Sequence, residues 1–230
     1  MNIRISKYLS SAGVCSRRDA EKLIIKKKIK INNQICIHPS HKVSDLDIIK
    51  VDNKIVKKSN TVQVWRLYKP IKYICSTKDN LDRKKIFDLL PKNLKKLICV
   101  GRLDFMSEGL ILLTNNGDYS RYLEHPSSNI ERTYRVCINS NIRNDDVKKI
   151  NKGITIKGVK YKKVKVTFDK KLKNHYWLIF KLREGKNREI RNICNYFSWN
   201  IIKLIRIEFG PYKLGRLEEG QFQKLNKIIK

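Results

Sequence analysis

The chain has few acidic residues and no long apolar run. Only 21 Asp and Glu residues stand against 52 Lys and Arg among 230 residues. No run approaches the roughly 20 apolar residues of a membrane span, and the first ten residues, MNIRISKYLS, lack the apolar centre of a signal peptide. We therefore expect no membrane association and a location in the cytoplasm.

Motifs for metals, nucleotides and structural disulfides are also missing. The six cysteines form no Cys-x-x-Cys pair, which predicts reduced, packed thiols rather than a disulfide or zinc framework. Cys36, His38 and His41 provide only three local ligands, and Pro39 bends the chain between them, so we predict no zinc there. Without a P-loop, a Rossmann glycine pattern or a metal triad, the sequence predicts no cofactor and no metal.

The excess of cations gives a formal net charge of +31, which calls for a polyanionic partner. Part of the lysine content could reflect codon supply in an AT-rich genome, so arginine is the better indicator of binding. The arginines gather in stretches with the pattern of folded structure: Arg17 and Arg18, Arg102, Arg132 and Arg135, and Arg183, Arg188 and Arg191.

The stretch from Leu97 to Asp118, LICVGRLDFMSEGLILLTNNGD, organises the rest of the chain. LICV and GLILLT are apolar runs of strand length without alternation, which favours strands covered on both faces. Between them lie Arg102 and Asp104, and a carboxylate where buried strands end must be hydrated, paired or functional. The following NNGD predicts a turn and a helix N-cap at Asp118.

This stretch resembles the strongest motif of the pseudouridine synthases, in the branch that modifies bacterial ribosomal RNA and carries an N-terminal S4 domain. Gly-Arg-Leu-Asp followed by Gly-Leu-Ile-Leu-Leu-Thr matches that motif closely. The resemblance implies that Asp104 is the catalytic nucleophile, and Arg102 becomes a candidate RNA contact beside it. Judged without the resemblance, Asp104 is better interpreted as a loop carboxylate that caps a turn, because loop aspartates are common turn formers.

Residues 1–58 predict a small RNA-binding domain. Ile5, Leu9 and Ala12 have helical spacing, and Ser16 with Asp19 forms a capping box for a second helix. Arg17 and Arg18 fall in the first turn of that helix, where free backbone N–H groups favour a phosphate. IKIN and QICI read as a hairpin around Asn33, followed by the strand IIKV. The segment resembles an S4 domain, with Lys27 and Asn33 where that domain usually has glycine.

A polar linker is predicted at 59–62 and a catalytic domain at 63–230. VWRLYKPIKYICST predicts a strand, a turn at Lys69-Pro70 and a second strand. It resembles the first motif of the same family, with Lys72 in place of a glycine, and Lys-Pro serves that family mainly as scaffold. RKKIFDLLP predicts a short amphipathic helix that ends before Pro91.

ERTYRVCI predicts a strand with Tyr134 in its middle. A strand aromatic is usually a core residue, but Arg132 and Arg135 flank this one, and interleaved basic and aromatic residues suit a flipped base beside its phosphates. Arg132, Tyr134 and Val136 match the tyrosine motif of the family. The resemblance therefore places Tyr134 against the base, and Arg132 is predicted to bind RNA.

REGKNREIRNICNYF predicts a loop followed by a helix. Lys186 and Arg188 precede or begin that helix, where anions bind, so both are candidate RNA contacts. In the family, the basic residue that closes this segment contacts the catalytic Asp. The resemblance gives that position to Arg191.

The pattern of many strands and few helices predicts an α+β protein. The resemblance specifies two helices and a β-hairpin, then a pseudouridine synthase domain on a mostly antiparallel mixed sheet with a central cleft. It implies a monomer that isomerises uridine in ribosomal RNA, nearer to the large-subunit (23S) enzymes than to the small-subunit (16S) one. The alternatives are a non-catalytic RNA-binding or ribosome-assembly protein, and a metal-dependent nuclease, which the lack of a second carboxylate beside Asp104 disfavours.

Overall fold

The computed structural model describes residues 2–57, 61–226 and 228. Part of the predicted linker at 59–62 thus lies outside the described residues. Within the described ranges, no helix is both long enough and apolar enough to cross a bilayer.

Residues 3–55 form a small unit of two helices and short strands. Its elements are β1 (Ile3–Arg4), α1 (Ile5–Ser11), α2 (Arg17–Ile25), β2 (Ile29–Ile31), β3 (Gln34–Ile35), β4 (Lys42–Val43), β5 (Ile49–Val51) and β6 (Lys54–Ile55). The strands pair in the order β3-β2-β5-β6, and β1 pairs with β4. The predicted helices and hairpin are therefore confirmed.

Local signals account for the boundaries of this unit. The Ser16 hydroxyl accepts the backbone N–H of Asp19 at 3.1 Å and caps α2. Lys27 and Asn33 both have positive φ angles, 56° and 70°, at the two positions where a glycine is usual. Asparagine tolerates this conformation, whereas a lysine there costs about 1 kcal/mol or more, which the packing of Ile24 and Ile29 on either side of the turn must offset.

The second unit begins at residue 64 and contains most of the strands. Its elements are β7 (Val64–Lys69), β8 (Ile98–Val100), β9 (Glu108–Thr114), α3 (Gly117–Glu124), β10 (Arg132–Ile138), α4 (Asn144–Lys152), β11 (Ile154–Ile156), β12 (Val159–Tyr161), β13 (Lys165–Leu172), β14 (His175–Leu182), α5 (Glu189–Tyr196), β15 (Ile201–Phe209), β16 (Tyr212–Lys213) and β17 (Phe222–Leu225).

A nine-stranded sheet organises this unit, in the order β13-β14-β10-β15-β9-β7-β17, with β16 added to β15 and β8 to β9. Its described pairings are antiparallel apart from that of β9 with β15. The α+β class and the mixed, mostly antiparallel sheet are thus confirmed. Every residue of β9 is buried, as its unbroken apolar run predicts.

The parallel pairing of β9 with β15 depends on Gly109. Arg206 lies opposite it in the register, and a Cβ on Gly109 would come within 2.4 Å of the Arg206 carbonyl oxygen. With φ at +101°, this position also disfavours any side chain. Glycine therefore lets the strand after Asp104 approach the strand after α5.

Three predicted elements are wrong in detail. The N-cap of α3 is Asn116, whose side chain accepts the N–H of Tyr119 at 2.8 Å, while Asp118 lies inside the first turn and pairs with Lys7. The predicted second strand after Pro70 is reduced to a bridge between Ile74 and Lys85. Lys72 and Cys75, on either side of Ile74, form hydrogen bonds to the 101–107 loop instead of pairing as a strand.

RKKIFDLLP forms only a 3-10 turn at Ile86–Leu89, since the residue before Pro91 disfavours a helix. The helix α4 was not predicted. It follows the usual amphipathic pattern, with Val147 and Ile150 buried.

Candidate active site

Asp104 lies in a short loop between β8 and β9 that is fixed mainly by backbone hydrogen bonds. The Asp104 carbonyl accepts the N–H of Ser107 at 3.0 Å, and the Phe105 carbonyl accepts the N–H of Lys72 at 2.8 Å. The loop starts at Gly101, with φ at +66°. These contacts hold the carboxylate at the cleft surface, where its side chain is one-third exposed.

Arg191, on the first turns of α5, reaches this loop. Its Nε lies 3.6 Å from Oδ2 of Asp104. Its Nη2 donates to the Met106 carbonyl at 2.7 Å and to the Ser107 hydroxyl at 3.1 Å. Burial lowers the pKa of Arg191, and the negative charge of Asp104 opposes that change. The predicted contact is present, as an ion pair supported by hydrogen bonds to the loop.

Lys69 approaches the same loop from β7. It is fully buried, and its Nζ donates to the Ser107 carbonyl at 2.6 Å and to the Pro70 carbonyl at 3.0 Å. Burial lowers the pKa of Lys69 to about 8, although the carboxylates of Asp104 and Glu108 favour its charged form. The resemblance implied a scaffold role for Lys-Pro, so this buried cation was not predicted. Alternation in β7 was the available signal, because it puts Lys69 on the buried face of Trp65 and Leu67.

Two thiols lie beneath the start of the loop. The Leu103 N–H donates to Sγ of Cys75 at 3.4 Å, and Sγ of Cys99 donates to the Gly101 carbonyl at 3.0 Å. The interaction between the two thiols lowers the pKa of Cys75 and raises that of Cys99. Cys75 is therefore the thiol that more readily ionises.

Tyr134 and Arg132 lie on β10, on the face that lines the cleft. Arg132 is buried, and its guanidinium donates to the backbone carbonyls of Leu123, Ile130, Arg183 and Glu184. Its donors are thus committed to the protein. Arg135 lies on the opposite face by strand alternation, where it pairs with Asp169 at 2.7 Å and stacks on Trp177, so it does not flank the cleft as predicted.

Arg206 is a second buried cation that was not predicted as a site residue. It lies opposite Tyr134 in the pairing of β15 with β10, is buried, and donates from Nε to the Leu110 carbonyl at 2.7 Å. The guanidinium groups of Arg132 and Arg206 both lie over the ring of Phe209, at 4.8 and 5.1 Å. A charged residue inside the apolar strand IIKLIRIEF was the signal for this site.

The loop before α5 carries the other predicted RNA contacts. Arg188 is exposed and lines the cleft. Lys186 also lines it, but pairs with Glu184 at 3.3 Å and donates to the Lys160 carbonyl. The Glu189 carboxylate accepts the N–H groups of Gly185 and Lys186, so part of the anion-binding capacity predicted for this helix start is used internally.

Arg17 and Arg18 are exposed at the start of α2 and are not among the residues that line the cleft. Asp19, in the same turn, lies 3.7 Å from Lys78, which does line the cleft. Lys7 of α1 pairs with Asp118 of α3 at 2.7 Å. These two exposed ion pairs join the small unit to the large one.

The cleft has a volume of about 2100 Å³ and a strongly basic lining. Among the residues that the structure describes, fifteen lysines and arginines line the cleft against six carboxylates, one of which is Asp104. Arg102 is exposed beside Asp104. A groove of this size and charge suits a polyanion, and its floor holds a carboxylate, a paired arginine and an aromatic ring.

Comparison with known families identifies the class. Residues 63–196 match the RNA pseudouridylate synthase family, and residues 3–49 match the S4 domain. The chain therefore belongs to the RNA pseudouridine synthases, which are isomerases, and carries an N-terminal S4 domain.

Individual relatives cover nearly the whole chain. It is 40% identical to an uncharacterized RNA pseudouridine synthase of Rickettsia typhi, over 99% of this chain and 93% of the relative. It is 37% identical to the ribosomal large subunit pseudouridine synthase B of Buchnera aphidicola, over 100% of this chain and 92% of the relative. A crystal structure of a pseudouridylate synthase aligns with a TM-score of 0.68 at 26% identity, covering 97% of this chain and 96% of that one.

Proposed function

We propose that this protein isomerises a specific uridine of ribosomal RNA to pseudouridine, and that the target lies in the large-subunit (23S) RNA. The observation that carries this proposal is the Asp104–Arg191 ion pair on the floor of a basic cleft. The large-subunit target is supported by the Buchnera relative and by the ribosomal large subunit pseudouridine synthase B of Bacillus subtilis, which is 32% identical over 96% of this chain.

The chemistry breaks the C1′–N1 bond of uridine, turns the base and joins C1′ to C5, with one proton leaving C5 and one arriving at N1. Asp104 is the proposed nucleophile, at either C1′ of the sugar or C6 of the base, because a carboxylate can form a covalent intermediate that divides a difficult step. Arg191 favours the ionised carboxylate by its opposite charge and fixes the loop through Met106 and Ser107. The reaction needs no cofactor or metal.

Tyr134 is the proposed stacking partner of the flipped base and the candidate acceptor of the C5 proton. A flipped base is held by stacking on aromatic side chains, at a cost of a few kcal/mol in lost stacking within the RNA. Tyr134 can provide this stacking surface, because it lines the cleft and its ring is held in place by packing against the surrounding apolar core.

RNA binding is assigned to cations on both units. Arg17 and Arg18 on α2, and Arg102 and Arg188 at the cleft, are exposed and free to meet phosphates. Arg132 and Lys186 are held by protein contacts, so their contribution is positive potential more than direct donation. The proposed unit boundaries are 1–58 and 63–230, in a monomeric protein of the bacterial cytoplasm.

Mapping pseudouridine in RNA exposed to the protein tests this function. Full-length protein is incubated with 23S and 16S transcripts, and with ribosomal subunits from cells that lack the enzyme, and modified positions are read by chemical derivatisation and primer extension. We expect one dominant position in 23S RNA. A position in 16S RNA would overturn the target, and no modification on any substrate would favour a non-catalytic binding protein.

A further inference from the structure

Two thiols that the proposed chemistry does not use brace the residues directly before Asp104. The Cys75 thiol contacts both backbone polar groups of Leu103, with the Leu103 N–H at 3.4 Å and the Leu103 carbonyl at 3.7 Å. The Cys99 thiol donates to the Gly101 carbonyl at 3.0 Å. The two thiols also lie close enough for each to shift the pKa of the other. Any bond between them acts on the loop that positions the carboxylate.

Both thiols are within reach of small solutes. Cys75 and Cys99 are half-buried and line the cleft, whereas the other four cysteines are not among its lining residues. The cations of Lys69 and Arg206 lie near Cys75 and favour its thiolate, the form that reacts with oxidants. A reactive thiol with a second thiol beside it is the arrangement of redox-sensitive sites.

We propose that Cys75 and Cys99 are an oxidation site, at which a peroxide closes a disulfide that displaces the 101–104 loop and stops turnover, and from which a dithiol reductant restores activity.

The chemistry is a two-electron oxidation in two steps. The Cys75 thiolate attacks one oxygen of hydrogen peroxide, so an S–O bond forms, the O–O bond breaks and hydroxide leaves to become water. The Cys99 thiol then attacks the Cys75 sulfur, an S–S bond forms and the sulfenic oxygen leaves as a second water. Two thiols and one peroxide thus give one disulfide and two waters. A dithiol reverses this by exchange and becomes oxidised in turn.

The disulfide is expected to move the loop because its geometry differs from that of the thiol pair. Sulfur atoms in a disulfide lie about 2.05 Å apart, much closer than two sulfur atoms that are not covalently bonded can approach. Oxidation also removes the S–H that donates to Gly101. A displacement of about 1 Å at a reacting group can cost around a hundredfold in rate, so a shift of Gly101 and Leu103 should strongly reduce turnover by Asp104.

Differential alkylation with peptide mapping tests the site in the full-length protein. Reduced protein is treated with hydrogen peroxide, free thiols are blocked, and peptides are sized before and after reduction. We expect a Cys75–Cys99 linked peptide that appears together with a loss of at least about tenfold in pseudouridine formation, and that disappears as dithiothreitol restores activity. Oxidised protein without this link, or linked protein with full activity, would overturn the proposal.

For each variant, the activity of the peroxide-treated protein is divided by that of the same variant in its reduced form. An effect of the substitution on basal activity therefore cancels. In Cys75→Ser, peroxide should leave the ratio of oxidised to reduced activity near one. In Cys99→Ser, a sulfenic acid should remain at Cys75, where dimedone traps it. Cys15→Ser makes the same change in the small unit and should keep the wild-type link and loss. A loss in Cys75→Ser equal to that of the wild type would contradict the proposal.

The effect on turnover rests on the proposed function, but formation of the disulfide does not. If reduced protein modified no RNA, the proposed function would fail while peptide mapping would still decide whether the pair closes. If reduced protein were active and no link formed, only the redox proposal would fail.

Discussion

Arg191 pairs with Asp104 by charge, at 3.6 Å, but gives its hydrogen bonds to Met106 and Ser107. The arginine therefore fixes the loop around the carboxylate and leaves the carboxylate oxygens available to a substrate. Substitutions at residue 191 can therefore test two effects separately, the positive charge that pairs with Asp104 and the guanidinium hydrogen bonds that hold the loop.

Asp104→Asn removes the carboxylate with little change in size. Pseudouridine formation should fall below detection, because an amide lacks the attacking oxygen anion. RNA affinity should persist or rise slightly, since one negative charge is lost from a basic cleft. Single-turnover assays and filter binding measure the two effects. Asp145→Asn, an exposed carboxylate on α4, is the matched control, and a normal single-turnover rate for Asp104→Asn would remove Asp104 from the mechanism.

Arg191→Lys keeps the positive charge but removes the planar guanidinium group with its several N–H donors. We expect turnover to fall by about ten- to a hundredfold, because the loop loses bonds to Met106 and Ser107 while the ion pair with Asp104 can persist. Arg191→Ala should lose more. Arg143→Lys makes the same change away from the cleft, at an exposed arginine that pairs with the buried Asp146, and should keep wild-type rates. Equal rates for Arg191→Lys and the wild type would show that charge alone suffices.

Arg17→Ala with Arg18→Ala should reduce the salt dependence of RNA binding. If both touch phosphates of single-stranded RNA, the slope of log affinity against log salt should fall by roughly one to one and a half. Lys148→Ala with Lys149→Ala removes two exposed cations from α4 and should leave the slope nearly unchanged. Equal slopes for the wild type and the double arginine variant would instead indicate that codon supply, not binding, placed the charge there.

Lys69 should make stability depend on pH. Its pKa is about 8 in the folded protein against an ordinary 10.5. Between these values the unfolded chain holds a proton that the folded protein lacks, so the free energy of unfolding rises with pH through this window. Relative to Lys69→Met, the wild type should gain roughly 1 to 3 kcal/mol.

Urea unfolding at several pH values measures this difference. Lys96→Met, at an exposed lysine, controls for the loss of one cation and should give the wild-type profile. A constant difference between the wild type and Lys69→Met would mean that folding leaves the pKa of Lys69 unchanged.

The fragment 59–230 should fold without the S4 unit. The two units have separate apolar cores, and the ion pairs Lys7–Asp118 and Lys78–Asp19 face solvent and contribute little to folding. RNA affinity should fall, because Arg17 and Arg18 are lost with the small unit. Circular dichroism and cooperative urea unfolding of the fragment test the boundary, which an unfolded or aggregated fragment would contradict.

Much of the fold was predictable because local signals agree with tertiary packing. The capping box at Ser16, the unbroken apolar run of β9 and the periodicity of α5 each determine an element within a few residues. The second strand predicted after Pro70 fails because hydrogen bonds from Lys72 and Cys75 to the Asp104 loop replace strand pairing. Such long-range contacts leave no periodic trace in the sequence.

The candidate site shows the same limit. Asp104, Tyr134 and Arg191 lie in recognisable motifs, and the structure brings them to one cleft, while their roles remain predictions. Lys69 and Arg206 were not predicted as site residues because a buried cation is recognised by its neighbours in space, and these neighbours are distant in sequence. Lys69 donates a hydrogen bond to the Ser107 carbonyl of a loop far along the chain, and Arg206 stacks on Phe209. Composition alone does not distinguish these two buried cations from the many lysines and arginines on the surface.

The parallel pairing of β9 with β15 also sets when the site can form during synthesis. Asp104 lies in the loop that leads into β9, and Arg191 lies in the helix that precedes β15, so this pairing brings them together. Translation releases β9 long before β15, and domains fold as their segments emerge from the ribosome. A nascent chain should therefore bind RNA through its S4 unit before it can modify any, and should become active only once residues 201–209 have left the exit tunnel.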